Sequence, residues 1–363
     1  MSFPHRDEEW GRPMNRRDDA PADAAEVTHA VASGGDTLFT WDYEKGRIRG
    51  LERLYEKAKR AQWNAETDID WSIDVDPERV LSFLADSGGE AVPRGVREHP
   101  DLPLRTWTDK EWTQFGVESL HWRLSQFLHG EQGALVCTAK IVQTVPWIDA
   151  KYYAATQVMD EARHVEVFGR YLDTKLDHTY AINPHLRMLL DDILADSRWD
   201  MTYLGMQILV EGLALAAFGF MHHFCDDELL KQILRYVMAD EARHVAFGVL
   251  SLRELYAELT EPEVRDRQEF AFEAVLRMRD RLLQQEVWER MGVDVDRVVK
   301  ALRDVPPEDM LFQQMLFSKI VPNCRKLGLL DAGSGWLRER FREIGVIHFE
   351  HDTDEELDEI LSA

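Results

Sequence analysis

The chain has 363 residues, with 67 acidic against 43 basic side chains, a net charge of −24 and 45% hydrophobic content. That charge excludes a nucleic-acid groove or an anionic membrane surface, since both recruit basic patches, while the apolar share is enough for a sizeable core. Cys137, Cys225 and Cys324 are widely spaced and form no Cys-x-x-Cys, which excludes an iron–sulfur or rubredoxin module and suits a reducing cytoplasm.

Residues 1–31 are rich in charge, Pro and Ala without an apolar run, so the pattern predicts a disordered segment rather than a leader or anchor. Residues 32–107 read as an extension with short helices, one of them opened by Asp76-Pro77 and running to about Ala85. A helix bundle is expected over 108–260. Its first helix starts at a capping box, Thr108 to Glu111, and stops before Pro146. The second runs from Trp147 to Leu176. Asn183-Pro184 opens a third that reaches about Phe224, and Asp226-Asp227 restarts the chain into a fourth ending near Leu259. Leu204 to Met221 is apolar except for Gln207 and Glu211, nearly enough for a membrane span, yet its amphipathic neighbours and the lack of basic flanks make it an inner bundle helix. Residues 261–349 read as helices packing on the bundle, over 261–291, 295–304, 307–327 and 335–345, and 350–363 as an acidic, solvated tail. No run alternates as a strand does, so the expected class is all-α.

Two nearly identical hexapeptides, Asp160-Glu161-Ala162-Arg163-His164-Val165 and Asp240-Glu241-Ala242-Arg243-His244-Val245, lie 80 residues apart. Glu131 precedes the first Glu-x-x-His by 30 residues, and Glu211 precedes the second by the same 30. Residues i and i+3 share a helix face, so each motif aims a carboxylate and an imidazole at one point. Four helices contributing inward would assemble four carboxylates and two imidazoles. Chemistry supports the grouping: a lone Glu211 in so apolar a helix would be strongly destabilising, whereas four carboxylates neutralise two divalent ions. Carboxylate with imidazole suits iron or manganese, and the lack of thiolates argues against structural zinc.

At these positions the chain resembles the ferritin-like di-iron carboxylate superfamily, including multicomponent monooxygenase hydroxylase subunits, the benzoyl-CoA epoxidase subunit and the ribonucleotide reductase small subunit. The resemblance implies a four-helix bundle with additional flanking helices, holding two iron ions, with manganese acceptable at one or both positions. Glu131, Glu161 and His164 then resemble the ligands of one half-site and Glu211, Glu241 and His244 those of the other, with the four glutamates also catalytic. Asp160 and Asp240 resemble the carboxylates that orient a ligating imidazole through its free N–H. Three positions depart from the relatives: Phe168 stands where the reductase subunit keeps its radical tyrosine, Leu215 where hydroxylases carry a threonine, and Val237 where arylamine N-oxygenases have an extra histidine.

The implied activity is an O2-dependent hydroxylation, epoxidation or N-oxygenation of a small or carrier-linked organic substrate. Electrons would come from an external reductase, since the chain has no cysteine cluster or nucleotide fingerprint. A cytoplasmic protein, compatible with a homodimer, is the matching expectation. The alternatives are a ferroxidase or peroxide scavenger resembling ferritin or rubrerythrin, and a scaffold like the reductase small subunit. Phe127, Ala134, Thr138, Phe168, Gln207, Leu215 and Phe218 lie within a turn or two of the ligands and are the expected substrate-pocket residues. Arg163 and Arg243 are expected in salt bridges, either just behind the ligands or at the surface, rather than in catalysis, His222 and His223 at a helix end, and His121 and His129 outside the site.

Overall fold

The structure, a computed structural model, describes residues 28–46, 48–80, 92–306, 310 and 315–353. Most of the 1–31 segment and of the acidic tail lies outside these residues, as does the part of the expected helix from 81 to 85. The described part is all-helical, a core bundle with flanking helices.

Before the bundle come α1 (Arg49–Arg60), α2 (Pro77–Val80) and α3 (Arg94–Arg97). The first core helix, α4 (Asp109–Thr144), begins at the Thr108/Glu111 capping box, with the Glu111 carboxylate accepting from the Thr108 backbone N–H at 2.6 Å. It ends where Val145 turns extended ahead of Pro146, the conformation a following proline enforces. α5 (Ile148–Lys175) packs antiparallel along it. Asn183 caps α6 (Pro184–Ala195) by accepting from His185 N–H at 2.9 Å.

The expected third helix is two helices. At Asp196 the chain leaves the helix, because its carboxylate accepts from the Arg198 backbone N–H at 2.8 Å and pairs with the Arg198 guanidinium, a local turn that competes with helix continuation. The chain restarts as α7, Trp199–Phe224, which contains a π-helical stretch, Leu204–Val210, directly before Glu211. Such widened turns re-aim the residues that follow them. Two glycines let neighbours approach this stretch: a Cβ on Gly205 would meet Ile193 at 2.5 Å, and one on Gly248 would meet Gln207 Cβ at 2.8 Å. α7 is long and apolar enough to cross a membrane by composition, but most of it is buried inside the bundle.

The fourth core helix, α8 (Glu228–Glu258), starts at Asp227 and packs on α7. α9 (Glu261–Arg281) begins at a second capping box, Thr260 with Glu263, and lies against α6 and the π stretch. The expected helix to 291 breaks at Gln284, whose φ of 53° is left-handed, and resumes as α10 (Gln285–Arg290). α11 (Val295–Arg303) and α12 (Ile320–Lys326) follow, and part of the expected 307–327 helix lies outside the described residues. α13 (Ala332–Glu343) is kinked at Gly333, Ser334 and Gly335, all at positive φ. A single large core holds the bundle together, and α1 lies across α5 and α8, the two helices bearing the repeated hexapeptides.

Candidate metal centre

α4, α5, α7 and α8 bring Glu131, Glu161, His164, Glu211, Glu241 and His244 to one buried point midway along the bundle. The ring centroids of His164 and His244 are 5.9 Å apart. His164 Nδ1 lies 3.2 Å from Glu131 Oε2, 3.4 Å from Glu161 Oε2 and 3.2 Å from Glu241 Oε1. His244 Nδ1 lies 3.1 Å from Glu161 Oε1, 3.5 Å from Glu241 Oε2 and 4.0 Å from Glu211 Oε2. Glu161 and Glu241 thus each turn one oxygen to each imidazole. Glu131 approaches only the first histidine and Glu211 only the second.

These groups fit two cations better than they fit each other. Glu161 Oε2, Glu211 Oε2, both Glu241 oxygens and His244 Nδ1 are buried and make no hydrogen bond within the described residues. Buried polar atoms are ordinarily satisfied, so several orphans aimed at one point mark a place for cations. Burial and the charge of Glu241 push Glu131 up to about 8, and burial with Glu241 and Glu161 raises Glu211 far above the usual carboxylate range. Burial opposes the charged form of His164, but Asp240, Glu131 and Glu161 outweigh it and raise the imidazole well above its ordinary value. His244 is likewise raised, against burial, by Glu161, Glu241 and Asp160. Burial would also raise Glu161, yet the two histidines overcome it and hold the carboxyl low. Without metal, the cluster balances itself by shuffling protons. Two divalent ions would replace those protons, and four carboxylates would leave the centre neutral.

Each histidine is held from behind by the aspartate of the other motif. His164 Nε2 is 3.1 Å from Asp240 Oδ2, and His244 Nε2 is 3.3 Å from Asp160 Oδ2. A proton fixed on Nε2 leaves Nδ1 as the ligating atom. Arg163 and Arg243 are buried rather than at a surface: each pairs with the aspartate of its own motif and reaches to within 3.5 and 3.8 Å of the other one. Two aspartates and two arginines make a neutral quartet, and this crossing uses the Asp, Glu, Arg and His of both hexapeptides.

Three residues of the site lie outside the expected set, and two of them carried no local signal. Gln62 donates to Asp160 Oδ1 at 3.0 Å and accepts from Arg163 at 2.6 Å, and Trp63 Nε1 donates to Asp240 Oδ2 at 2.8 Å. They follow α1 and are about 100 residues from the nearer hexapeptide, so no local pattern reveals them. Gln157 Nε2 donates at 2.9 Å to both Glu161 Oε1 and Glu211 Oε1. Its signal was present, because it stands four residues before Glu161 on the same helix face.

Of the expected pocket residues, Phe127 and Ala134 line a cavity of about 20 Å³ that touches Glu131, Glu211 and Glu241. Phe127, Phe168 and Phe218 form an aromatic cluster, with Phe127 and Phe218 4.7 Å apart. Thr138, Gln207 and Leu215 do not line the cavity; Thr138 and Gln207 are wholly buried, with side-chain polar atoms lacking hydrogen-bond partners. His222 and His223 are at the end of α7. His129 contacts the Tyr180 carbonyl at 2.8 Å, and His121 lies 2.8 Å from His178 in a separate group with Glu118. The three cysteines are buried and free.

Fold and site together make a ferritin-like helix bundle around a buried carboxylate–histidine cluster with the donor set for two metal ions, one that suits iron or manganese. No protein-family model matches the chain, and no curated protein does. Among solved structures it is similar to an R2-like ligand-binding oxidase with an aerobically reconstituted Mn/Fe cofactor, at 17% identity over 78% of this chain and 97% of that one, TM-score 0.47. It is also similar to an R2-like ligand-binding oxidase with an aerobically reconstituted metal cofactor after photoconversion, at 19% identity over 76% and 92%, TM-score 0.46.

Proposed function

We propose that the protein is an O2-dependent oxidoreductase that hydroxylates, epoxidises or N-oxygenates a small or carrier-linked organic substrate, drawing electrons from a separate reductase. The observation that carries this reading is that Glu161 and Glu241 each turn one oxygen to His164 and the other to His244, so that two ions held beside these histidines would have both carboxylates within reach. Such a pair, when bound, supplies the two-electron redox chemistry that oxygen activation needs.

The chain's own residues set the conditions. Asp160 and Asp240 hold the imidazole tautomers, and Arg163 and Arg243 pair with these aspartates inside the bundle. Gln157 steadies one oxygen of Glu161 and one of Glu211, leaving their other oxygens directed at the centre. Phe127, Phe168 and Phe218 exclude water on one side, which strengthens every electrostatic interaction inside. The cavity at Glu131 and Glu211 has an apolar side made by Phe127, Val210, Leu213 and Met278, which supports an organic substrate over the storage alternative. Phe168 leaves no phenol at the position where the reductase subunit stores its radical.

The test is single turnover. Reduced, iron-loaded protein is exposed to labelled oxygen with candidate substrates, and label in an organic product is the expected result. Repeated oxidation of added ferrous ion with mineral growth and no labelled product would favour the ferroxidase.

A further inference from the structure

The cavity beside the metal centre has one cationic wall. Arg281, at the last turn of α9, lines it together with Met278 of the same helix and with Glu131, Glu211 and Glu241. Its side chain is 6% exposed, and among the described residues its guanidinium makes no hydrogen bond or ion pair, with Nε buried and without a partner. Burial lowers it to about 10, so it is a cation at neutral pH, and Glu286 is the charged group that acts on it. Glu286 is committed elsewhere, accepting from Trp122 Nε1 at 2.9 Å and from Asn183 Nδ2 at 2.7 Å.

A buried guanidinium with nothing to bind costs several kcal/mol, so it needs an anion or another purpose. Every other buried arginine beside the centre has one: Arg163 and Arg243 are neutralised by Asp160 and Asp240. From this contrast we infer that Arg281 is the anchor for a substrate carboxylate, whose remaining organic part lies against Phe127, Val210, Leu213 and Met278 toward the metal centre. The planar fork of the guanidinium matches a carboxylate in bidentate fashion. One cation in a pocket floored by three glutamates selects a monoanion over a phosphate dianion. At about 20 Å³ the cavity has room for about one water molecule. Admission of a substrate therefore requires the side chains around it to move, and Met278, unbranched and adaptable, is placed to do so.

The inference rests on the oxygenase reading for its view of the cavity as a substrate entrance, but it is tested by binding alone. Full-length protein loaded with manganese(II) under anaerobic conditions is titrated calorimetrically with acetate, phenylacetate and octanoate, with the amide of each, and with inorganic phosphate. At least one carboxylate should bind tenfold or more tightly than its amide. Arg281→Leu should erase that preference at least tenfold while leaving amide affinity unchanged, and Arg281→Lys should retain part of it. Where Arg281→Leu fails to fold, Arg281→Gln serves for the same ratio. Equal carboxylate affinity in wild type and variant, tighter binding of phosphate than of any carboxylate, or no saturable binding across the panel would overturn the anchor. So would a variant that only melts earlier, with its carboxylate-to-amide ratio intact, since that is the mark of a helix-terminal cation. Carboxylate selectivity without labelled product in the oxygen experiment would sink the oxygenase reading and leave the anchor standing.

Discussion

The two half-sites are built from the same hexapeptide, yet they are not supported alike. Around His164 the aspartate behind the ring, Asp240, takes a second hydrogen bond from Trp63, and Arg163 lies against that indole at 5.0 Å while binding Gln62. Around His244 the aspartate behind the ring, Asp160, takes its second hydrogen bond from the Gln62 amide at 3.0 Å rather than from an indole, and Arg243 donates to the Ala239 carbonyl at 2.8 Å. On the ligand side the imbalance is reversed, since Gln157 holds Glu211 and Glu161, whereas Val237 stands at the equivalent place in the second motif. Behind the histidines one half has an indole and the other an amide, and Gln157 ties the carboxylates on the Glu211 side. A duplicated motif therefore yields two half-sites in different surroundings.

Substituting the shared carboxylates should do the greatest damage. Glu161→Ala or Glu241→Ala is expected to abolish binding of both ions, whereas Glu131→Ala or Glu211→Ala should lose one, as read by metal content after desalting. Equal losses from all four would dissolve the distinction between shared and terminal ligands.

Breaking the crossed support comes next. Asp240→Asn should weaken the ion at His164, and Asp160→Asn the ion at His244, each by roughly 10–100-fold in affinity, the usual cost of removing a carboxylate behind a ligating histidine. Stepwise cobalt(II) titration followed by absorption distinguishes the two positions. If each aspartate weakened the ion of its own motif, the crossing in the structure would be wrong. Trp63→Phe should reproduce the Asp240 effect more weakly, and on that position alone.

The hexapeptides were legible because i,i+3 geometry is local: Glu161 with His164 and Glu241 with His244 needed no tertiary information to share a face. The equal 30-residue offsets to Glu131 and Glu211 extended that certainty to all four core helices. Crossing could not be read, because whether Asp160 serves His164 or His244 depends on the packing of α5 against α8. Gln62 and Trp63 were invisible for the same reason, being delivered by α1. The helix break at Asp196 and the turn at Gln284 were local but overridden in the reading by apolar periodicity on both sides. Arg281 looked like any basic residue closing a helix, and only its burial without a partner separates it from that role.

A smaller effect sharpens the comparison of ligands. Gln157→Val makes the first motif imitate the second and frees Glu211, so the two metal-binding steps should draw closer by several-fold in affinity. Steps that stayed as far apart as in wild type would assign the asymmetry to the Trp63 side.

The smallest effect is on the metal-free protein. Glu131 is pushed from its ordinary 4.5 up to about 8 by burial and Glu241, so the folded state keeps a proton that the unfolded chain releases. Its contribution to stability is full below about 4.5 and is lost as pH rises toward 8, because over that window the native state binds the extra proton. Glu131→Gln should flatten this segment of the denaturation profile relative to wild type. A parallel profile in the variant would show that Glu131 titrates normally in the metal-free fold.

The central claim is that two ions sit on common carboxylates, and electron paramagnetic resonance of the manganese(II)-loaded protein tests it most directly. Two manganese ions per chain, with the spectrum of an exchange-coupled pair that disappears in Glu161→Ala, is the result expected. The resolved hyperfine pattern of magnetically isolated ions, or a single ion per chain at saturation, would contradict it.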